Sequence, residues 1–439
     1  MRFEPSLHLV DVTEHGALLA WGGFWLEDRD DGVYVVDDDD LPIGGTIGAS
    51  SPPYGRAHVQ VLRDDRVVAG AVVDDANHVW IEGLEPDTEH RWTVSVEAEG
   101  WPPLEGRLRT HPREDDDTPV AFAALGDYGV GITNGDAGRR QEAVARTLEW
   151  LVANRPVRCV VGLGDNIYGG AEDRLEQSGD EDDDWYFTFY EPYRRVIDRV
   201  PFYPAAGNHD GPDEEANDDR RQLEDNFHLH ARFEPRRADG RAALDPGLFY
   251  RLRLGGLLDL VCVDTSWGAE VGEHWFEHLD HRLWVEAALH AEPAPAWRIP
   301  FSHHPVWCAG PDHDCMQEQI DELVPLYRDA GVRLLLHGHE HNLQHGRVEG
   351  IDYVISGAGG KLDTEPPVRF DECGTETWAA EPHCLLVEVE RDRIVVTPFA
   401  GMEEGDTEPR VVARRTPAGE VVEGPIVIER QPAGGPSSR

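Results

Sequence analysis

The chain has 439 residues, with 85 Asp and Glu against 40 Lys and Arg, which gives a formal net charge of −45 at pH 7. So acidic a chain excludes nucleic acid and anionic membranes as partners, because both require a basic protein face. Six cysteines in this length also exclude a disulfide-built scaffold.

The region up to residue 113 consists of short alternating or β-branched segments separated by turn residues. This pattern predicts an all-β sandwich domain over residues 1–113. Residues 84–90 resemble the tyrosine-corner segment of fibronectin type III domains, with His90 in place of the usual tyrosine. The predicted strands are 7–12, 17–21, 33–36, 58–62, 67–73, 78–81 and 91–96.

Residues 114–118 are polar and acidic, and we interpret them as a linker to a second domain at 119–400. In this second region, five apolar runs predict buried strands at 120–125, 157–163, 200–206, 297–301 and 332–336. Each run is followed by a polar motif: Gly126-Asp127-Tyr128-Gly129, Gly164-Asp165-Asn166-Ile167-Tyr168, Gly207-Asn208-His209-Asp210, His303-His304-Pro305-Val306-Trp307 and Gly338-His339-Glu340-His341.

These motifs place metal-binding side chains at the ends of predicted strands. Ligands of parallel sheets bind where the strands end, so we expect the Asp, Asn, Tyr and His side chains to share one edge of a sheet. One Gly-Asp pair would carry little weight in so acidic a chain, whereas five motifs in this order are typical of a two-metal phosphoester hydrolase.

With these motifs the chain resembles the calcineurin-like metallophosphoesterases and, within them, the purple acid phosphatases of the small tartrate-resistant type. The resemblance covers about residues 119–398 and includes the runs at 249–252, 263–265 and 355–359. It implies an α/β fold, the metallophosphoesterase four-layer α/β/β/α sandwich, preceded here by an all-β fibronectin type III-like sandwich. Residues 401–439 are predicted to be a C-terminal extension with one hairpin, from 411–412 and 425–429, and a disordered tail at 431–439.

The resemblance also implies a ligand set for two metal ions. One ion would be bound by Asp127, Tyr168 and His341. The other would be bound by Asn208, His303 and His339, with Asp165 bridging both.

The first motif lacks the histidine found in most of the wider superfamily, and Tyr168 fills its place. A phenol has an unperturbed pKa of about 10, so binding as phenolate at neutral or acid pH requires a strongly acidic metal. This favours Fe(III) beside Tyr168. Asn and His ligands suit a divalent ion such as Zn, Mn or Fe(II) at the other position.

The implied reaction is hydrolysis of a small phosphate monoester, in which a metal-bound hydroxide attacks phosphorus in line with the leaving group. His209 would bind the phosphate and act as general acid, and Asp210 would orient His209 or an outer partner of a ligand. His304 stands where the small members usually have tyrosine, and we interpret it as a substrate-pocket residue. His313 is a second candidate for substrate binding.

Two alternatives remain open. A phosphodiesterase or nucleotide hydrolase would use the same site, because the metals do not distinguish one ester bond from two. A non-catalytic binding protein would be favoured by loss of several ligands, and none is lost. The oligomeric state is not predicted.

Two other histidine groups are interpreted as surface features. His274, His278 and His281 have the spacing of one exposed face of a helix. His228 and His230 lie in a polar stretch that predicts a loop or a helix surface.

Lys361 is the only lysine among the 40 basic residues. Acidic self-repulsion is tolerated where salt screens it, which predicts the acidic proteome of a halophilic cytoplasm. A GC-rich genome would explain the preference for arginine but not the excess of acid. The N-terminus lacks an apolar h-region, and no stretch approaches about 18 apolar residues, so we predict a cytoplasmic location, with other secretion routes left open.

Overall fold

The computed structural model describes residues 2–30, 32–35, 55–98, 100–168, 185–210, 221–229, 231–232, 248–268 and 273–430. The predicted tail at 431–439 lies outside these residues, as does His230. No helix in the described ranges is long and apolar enough to cross a membrane.

The described residues of the N-terminal region form eight strands and no α-helix. Its strands are β1 (Arg2–Val12), β2 (Gly16–Arg29), β3 (Gly32–Val35), β4 (Arg56–Arg63), β5 (Arg66–Asp74), β6 (His78–Glu82), β7 (Glu89–Val96) and β8 (Leu104–Arg109). One sheet has the order β1-β2-β3, with β6 also paired to β2, and the other has the order β5-β4-β7-β8. Inward residues of both sheets, such as Leu19 and Val59, form one buried core, as in a β-sandwich.

Strand β8 was not predicted from the sequence. Charged residues occupy half of its positions, and only Gly106 and Leu108 are buried. At the corner that leads into β7, the ring of His90, the second residue of this strand, is buried and makes no hydrogen bond to any described residue. The carbonyl of Glu85 accepts a hydrogen bond from the hydroxyl of Thr110 instead (2.5 Å). A threonine therefore supplies a hydroxyl at this corner, which His90 cannot do.

The described part of the chain that follows alternates strands and helices. Its strands are β9 (Val120–Leu125), β10 (Val157–Gly162), β11 (Phe202–Pro204), β12 (Tyr250–Leu254), β13 (Leu258–Cys262), β14 (Trp267–Gly268), β15 (Glu273–His274), β16 (Trp297–Ser302), β17 (Leu334–His337), β18 (Leu343–Val348), β19 (Ile351–Ser356), β20 (Thr375–Ala379), β21 (His383–Val389), β22 (Arg393–Ala400), β23 (Arg414–Arg415), β24 (Val421–Val422) and β25 (Ile426–Glu429). Its α-helices are α1 (Gly135–Asn154), α2 (Glu191–Ile197), α3 (Arg221–Asn226), α4 (Leu279–Leu289), α5 (Gln317–Glu322), α6 (Val324–Asp329) and α7 (Phe370–Cys373).

Within the described residues β14 and β15 pair with each other, and the other strands of this region form two large sheets. The six-stranded sheet has the order β11-β10-β9-β21-β22-β25, and the nine-stranded sheet has the order β12-β13-β16-β17-β19-β18-β20-β23-β24. Leu334 and Leu336 pack into the core shared by both sheets, whereas Leu335 packs into a second core with Val285 of α4 and Tyr327 of α6. The strands are therefore buried on both faces, between a helical layer and the other sheet.

The five predicted strands before the motifs are present as β9, β10, β11, β16 and β17. The neighbours β9, β10 and β11 run parallel, as do β16 and β17. Within each sheet the carboxyl ends of these strands therefore lie at one edge, which is where the motifs follow.

The predicted C-terminal hairpin was wrong. Ile426–Glu429 pairs with β22 of the six-stranded sheet, and Val411 forms a bridge with Phe399. Arg414–Arg415 and Val421–Val422 pair instead and extend the nine-stranded sheet. The segment after residue 400 thus adds edge strands to both sheets, because β23 pairs with β20 and β25 pairs with β22.

Histidines 274, 278 and 281 do not form one exposed helix face. Helix α4 begins at Leu279, after His274 and His278. His281 is only 1% exposed, and its ring stacks on Phe249 with a centroid distance of 4.1 Å. The prediction of a solvated stripe was therefore wrong for His281, because the helix turns that residue toward the core.

The surface interpretation of His228 was also wrong. This side chain is 8% exposed and lies 6.3 Å from the ring of His8 in β1. The polar sequence around it gave no sign that the N-terminal sandwich would cover it.

The sandwich packs against the edge of the six-stranded sheet that β11 forms. The hydroxyl of Tyr203 in β11 donates to Asp11 Oδ1 (2.6 Å), and the buried Arg232 donates to the carbonyl of Val10 (2.8 Å). Since β11 leads into the loop at 207–210, the sandwich supports the strand that carries the third motif.

Candidate metal centre

Sharp turns at the strand ends bring the motifs together. Asp127, Asp165 and His339 have positive φ angles of 57°, 51° and 70°. Such backbone costs a non-glycine residue about 1–2 kcal/mol and clusters at functional sites. A Cβ at Gly207 would lie 2.2 Å from Asp165 Oδ1, so only glycine allows this close approach of two motif loops.

One group of side chains forms around Asp127. The hydroxyl of Tyr168 donates to Asp165 Oδ2 (2.6 Å) and lies 3.1 Å from Asp127 Oδ1. His341 Nε2 lies 3.5 Å from the same Asp127 oxygen. Four predicted ligands from three loops therefore meet at one point.

A second group forms around His303. Its Nε2 lies 2.9 Å from Asn208 Oδ1, 3.1 Å from His339 Nδ1 and 3.3 Å from Asp165 Oδ1. Asp165 thus turns Oδ2 toward the first group and Oδ1 toward the second. This is the arrangement that a carboxylate shared by two ions requires.

A hydrogen bond behind one ring and a carboxylate behind another orient two of the imidazoles. His303 Nδ1 lies 2.9 Å from the carbonyl of Leu163, which leaves Nε2 facing the other ligands. His341 Nδ1 lies 3.3 Å from Asp363 Oδ2, which leaves its Nε2 facing Asp127. Outer partners of this kind hold metal-binding imidazoles in place.

The electrostatics of this cluster fit bound cations. Asp127 and Asp165 are fully buried, and burial of carboxylates is costly unless positive charge compensates it. Burial and the charges of Asp127 and Asp165 hold the pKa of Tyr168 well above its usual value. Burial lowers the pKa of His341, but hydrogen bonding and attraction to Asp127 more than offset it and raise the pKa overall.

Two sets of ligand atoms in the described residues lie within 4.8 Å of one another. One set contains Asp127, Asp165 and His303, and the other contains His303, His304 and His339. The donors are hard oxygens on one side and imidazoles on the other, so both hard and borderline metals suit them.

His209 and Asp210 follow Asn208 but take different positions. The His209 backbone N–H donates to Asp165 Oδ1 (3.0 Å), and its exposed ring lies 4.5 Å from the ring of Tyr168. Asp210 is buried and accepts hydrogen bonds from the backbone of Asn166 (2.8 Å) and of Gly207 (2.7 Å). Asp210 therefore joins two motif loops to each other.

His304 and His313 both lie against His339. The His304 ring is 4.4 Å from it and is held by Thr265, whose hydroxyl lies 3.1 Å from His304 Nδ1. The His313 ring is 3.7 Å from His339 and is held by Glu340, 3.1 Å from His313 Nδ1. Both predicted pocket residues therefore border the second ligand group.

The sequence reasoning missed three residues of this site. Asp363 and Glu340 hold the rings of His341 and His313, and Lys361 lies with its ammonium 4.4 Å from the centre of the Tyr168 ring. Glu340 stands inside a recognised motif, but nothing in its spacing indicates which neighbour it contacts. The composition singles out Lys361 as the one lysine of the chain, but this residue belongs to none of the five motifs.

Comparison with known proteins identifies a matching family and similar sequences. A family profile described as calcineurin-like phosphoesterase matches residues 121–343. Tartrate-resistant acid phosphatase type 5 of Homo sapiens is 29% identical over 280 residues, which cover 57% of this chain and 76% of the relative. Purple acid phosphatase 7 of Arabidopsis thaliana is 24% identical over 273 residues, with coverage of 58% and 74%.

Two solved structures share the fold over 98% of this chain, each at 12% sequence identity. One is PhoD, with a TM-score of 0.63 and 93% of its chain covered. The other is the purple acid phosphatase PPD1 of yellow lupin (Lupinus luteus), with a TM-score of 0.60 and 74% of its chain covered. The matched profile spans all five motifs whose side chains converge here. The chain therefore belongs to the calcineurin-like phosphoesterase family.

Proposed function

We propose that this metal-dependent phosphoester hydrolase acts on small phosphate monoesters through two adjacent metal ions. The observation that carries the proposal is the position of Asp165, whose two oxygens face separate groups of candidate ligands. The similarity to acid phosphatases supports the substrate class.

In this proposal each group holds one ion, with Asp165 shared between them. Asp127, Tyr168 and His341 would hold Fe(III), since carboxylate and phenolate oxygens are hard ligands. Asn208, His303 and His339 would hold a divalent ion, namely Zn, Mn or Fe. When bound, the two ions would neutralise the ester and lower the pKa of a water molecule.

The surrounding residues would then position the ester and move one proton. His209 is exposed beside Tyr168 and is the general acid for the leaving group. Asp210 acts as a positioning residue, since it ties the His209 loop to the Asp165 loop. His304 and His313 line the part of the pocket next to His339 and contact the substrate.

We further propose that residues 1–113 are a fibronectin type III-like domain, that 114–118 link it to a catalytic domain at 119–400, and that 401–439 are an extension. Two antiparallel sheets facing each other over one core support the first assignment. The contacts between Tyr203 and Asp11 give this domain a supporting role toward β11.

The test is metal analysis of the purified protein together with a panel of monoesters, diesters and nucleotides. We expect two metal ions per chain, with iron among them, and kcat/KM highest for monoesters. A preference for diesters or nucleotides would reassign the substrate class. A protein that holds two ions yet hydrolyses no ester would overturn the proposal.

A further inference from the structure

The single lysine of the chain is anchored to the candidate metal centre. The Lys361 backbone N–H donates to the carbonyl of Asp127 (3.1 Å), as does that of Gly360 (3.0 Å). The carbonyl of Gly360 in turn accepts a hydrogen bond from Arg140 Nε (2.9 Å). These bonds fix the start of the Lys361 side chain beside a proposed metal ligand.

The Lys361 side chain extends over the ring of Tyr168. Its Nζ lies 4.4 Å from the ring centroid, and that ring is 4.5 Å from the ring of His209. The side chain is half-buried, and no described carboxylate pairs with its ammonium, although the chain has 85 acidic residues. An ammonium with no acidic partner in the described part of the chain therefore lies over the ring of a proposed metal ligand.

We propose that Lys361 binds a phosphate oxygen of the substrate and selects dianionic monoesters over monoanionic diesters. The inference rests on the proposed function and adds to it the residue that distinguishes the two ester classes. Lysine suits this task because its ammonium is a compact point charge on a flexible stem.

The selectivity follows from charge. A monoester has a second pKa of about 6, so it carries close to two negative charges at neutral pH, whereas a diester carries one. Coulomb attraction to an ammonium grows in proportion to that charge. Because the chain has a net charge of −45, it repels the dianionic monoester more strongly than the monoanionic diester. A cation close to the bound ester offsets that repulsion.

Two esters with the same leaving group test this. For Lys361→Met we expect kcat/KM for 4-nitrophenyl phosphate to fall about 10- to 100-fold, and that for bis(4-nitrophenyl) phosphate to fall about threefold or less. Lys361→Arg should keep most of the preference for the monoester. Arg328→Met removes one positive charge from an exposed pair with Glu349 and serves as the matched control.

Equal losses for both esters would overturn the inference and show that Lys361 acts only through Tyr168 or its loop. If the wild-type enzyme hydrolyses neither ester, the proposed function fails instead. A second readout decides the role of Lys361 in either case, because it does not depend on turnover.

That readout is acetylation of the metal-loaded protein by an amine-reactive ester, followed by mass spectrometry. Lys361 carries the only ε-amine, so its modification rate is read at a single site. We expect inorganic phosphate to slow acetylation of Lys361 and to leave the rate at the N-terminal amine unchanged. Equal rates with and without saturating phosphate would overturn the inference.

Discussion

At the scale of single residues, Tyr168 has the most unusual surroundings. Its hydroxyl lies between the carboxylates of Asp127 and Asp165, which raise its pKa further above the value that burial gives it. A cation in the cluster would reverse this effect, since it favours the phenolate. Tyr168 is therefore the side chain most sensitive to which metal is bound.

The first prediction concerns the colour of the protein. If Tyr168 binds Fe(III) as phenolate, protein purified with iron should show a visible charge-transfer absorption, and Tyr168→Phe should abolish it. Tyr186→Phe, whose hydroxyl contacts Glu191 outside the cluster, should leave the absorption unchanged. Visible spectra and metal analysis of the three proteins check this. A colourless and fully active wild-type enzyme that holds only Zn or Mn would contradict the prediction.

The second prediction concerns His209. As general acid it matters only when the leaving group needs a proton, so His209→Ala should slow alkyl esters about 10²- to 10⁴-fold and activated aryl esters much less. Both metal ions should stay bound, because the contact between His209 and Asp165 runs through the backbone. His290→Ala, at an exposed position, is the control. Equal losses for both ester types, or loss of metal, would assign His209 another role.

The sequence was most informative about residues whose chemistry is tied to a strand end. Asp127, Asp165 and His303 were predicted to meet because each lies within three residues of the end of a buried strand, and the structure places them together. Asp363 and Lys361 could not be found in this way. Each lies in a loop and contacts the cluster only because of the direction in which its side chain points. The spacing of residues in the sequence does not encode that direction.

At the scale of secondary-structure elements, the loops of two strands are joined by one carboxylate. Asp210 accepts hydrogen bonds from Asn166, Ile167 and Gly207, and burial followed by repulsion from Asp165 raises its pKa to about 7. The positions of these two strand ends are therefore coupled. The loop after β11 and the loop after β10 form one unit that sets the spacing of Asn208 and Asp165.

Element positions were predictable where apolar runs were long, as for β9 and β16. They were not predictable where partners decide the outcome. Strand β8 is half charged and is defined by its pairing with β7, and Ile426–Glu429 joins β22 rather than forming a local hairpin. Non-local pairing of this kind leaves no periodic pattern in the segment itself.

The third prediction concerns His383 at the start of β21. It is fully buried with Nδ1 near the Glu381 carbonyl (2.8 Å) and Nε2 near the Ser356 hydroxyl (3.0 Å). Burial lowers its pKa to about 3, so the folded protein holds it neutral. Below pH about 6.5 the imidazole of His383 is protonated in the unfolded chain but stays neutral in the folded protein. Stability should therefore fall by about 1.4 kcal/mol per pH unit from this group between pH about 6.5 and 3.

His383→Gln removes this proton uptake. The variant should be less stable than wild type at pH 7, because Gln fits the two hydrogen bonds less well, but the difference should shrink as the pH falls toward 5. Urea unfolding of both proteins across this pH range measures the difference in their free energies of unfolding. The contribution of the metal centre is common to both proteins and cancels in that difference. His290→Gln, at an exposed position, should differ from wild type by the same amount at every pH. A His383→Gln difference that is constant with pH would contradict the prediction.

At the scale of the whole molecule, the two proposed domains are held by polar contacts as well as by apolar ones. The buried Arg158 of β10 donates to the carbonyl of Thr110 (3.2 Å) and pairs with Asp87 of the sandwich. The Arg107 backbone N–H donates to the carbonyl of Asp198 (2.9 Å). Salt should weaken such pairs little, since buried charges are screened much less than exposed ones.

Exposed charges behave differently, and their balance sets the response of the fold to salt. With 85 acidic against 40 basic side chains, repulsion among exposed carboxylates opposes the compact state. Exposed ion pairs such as Arg56 with Asp74 act in the opposite sense, but each contributes only about 0.2–1 kcal/mol. Repulsion therefore dominates, and screening should stabilise the protein.

The fourth prediction is that the melting temperature rises with salt. The Debye length falls from about 10 Å at 0.1 M to about 3 Å at 1 M, so the rise should be steepest below about 1 M. Gains at higher concentration would come from ion binding or from salting-out. Thermal unfolding in KCl from about 0.1 to 3 M measures this, with the metals kept saturating because their loss would itself lower the melting temperature. A flat or falling melting temperature would refute adaptation to high salt, and the acidic surface would then serve solubility alone.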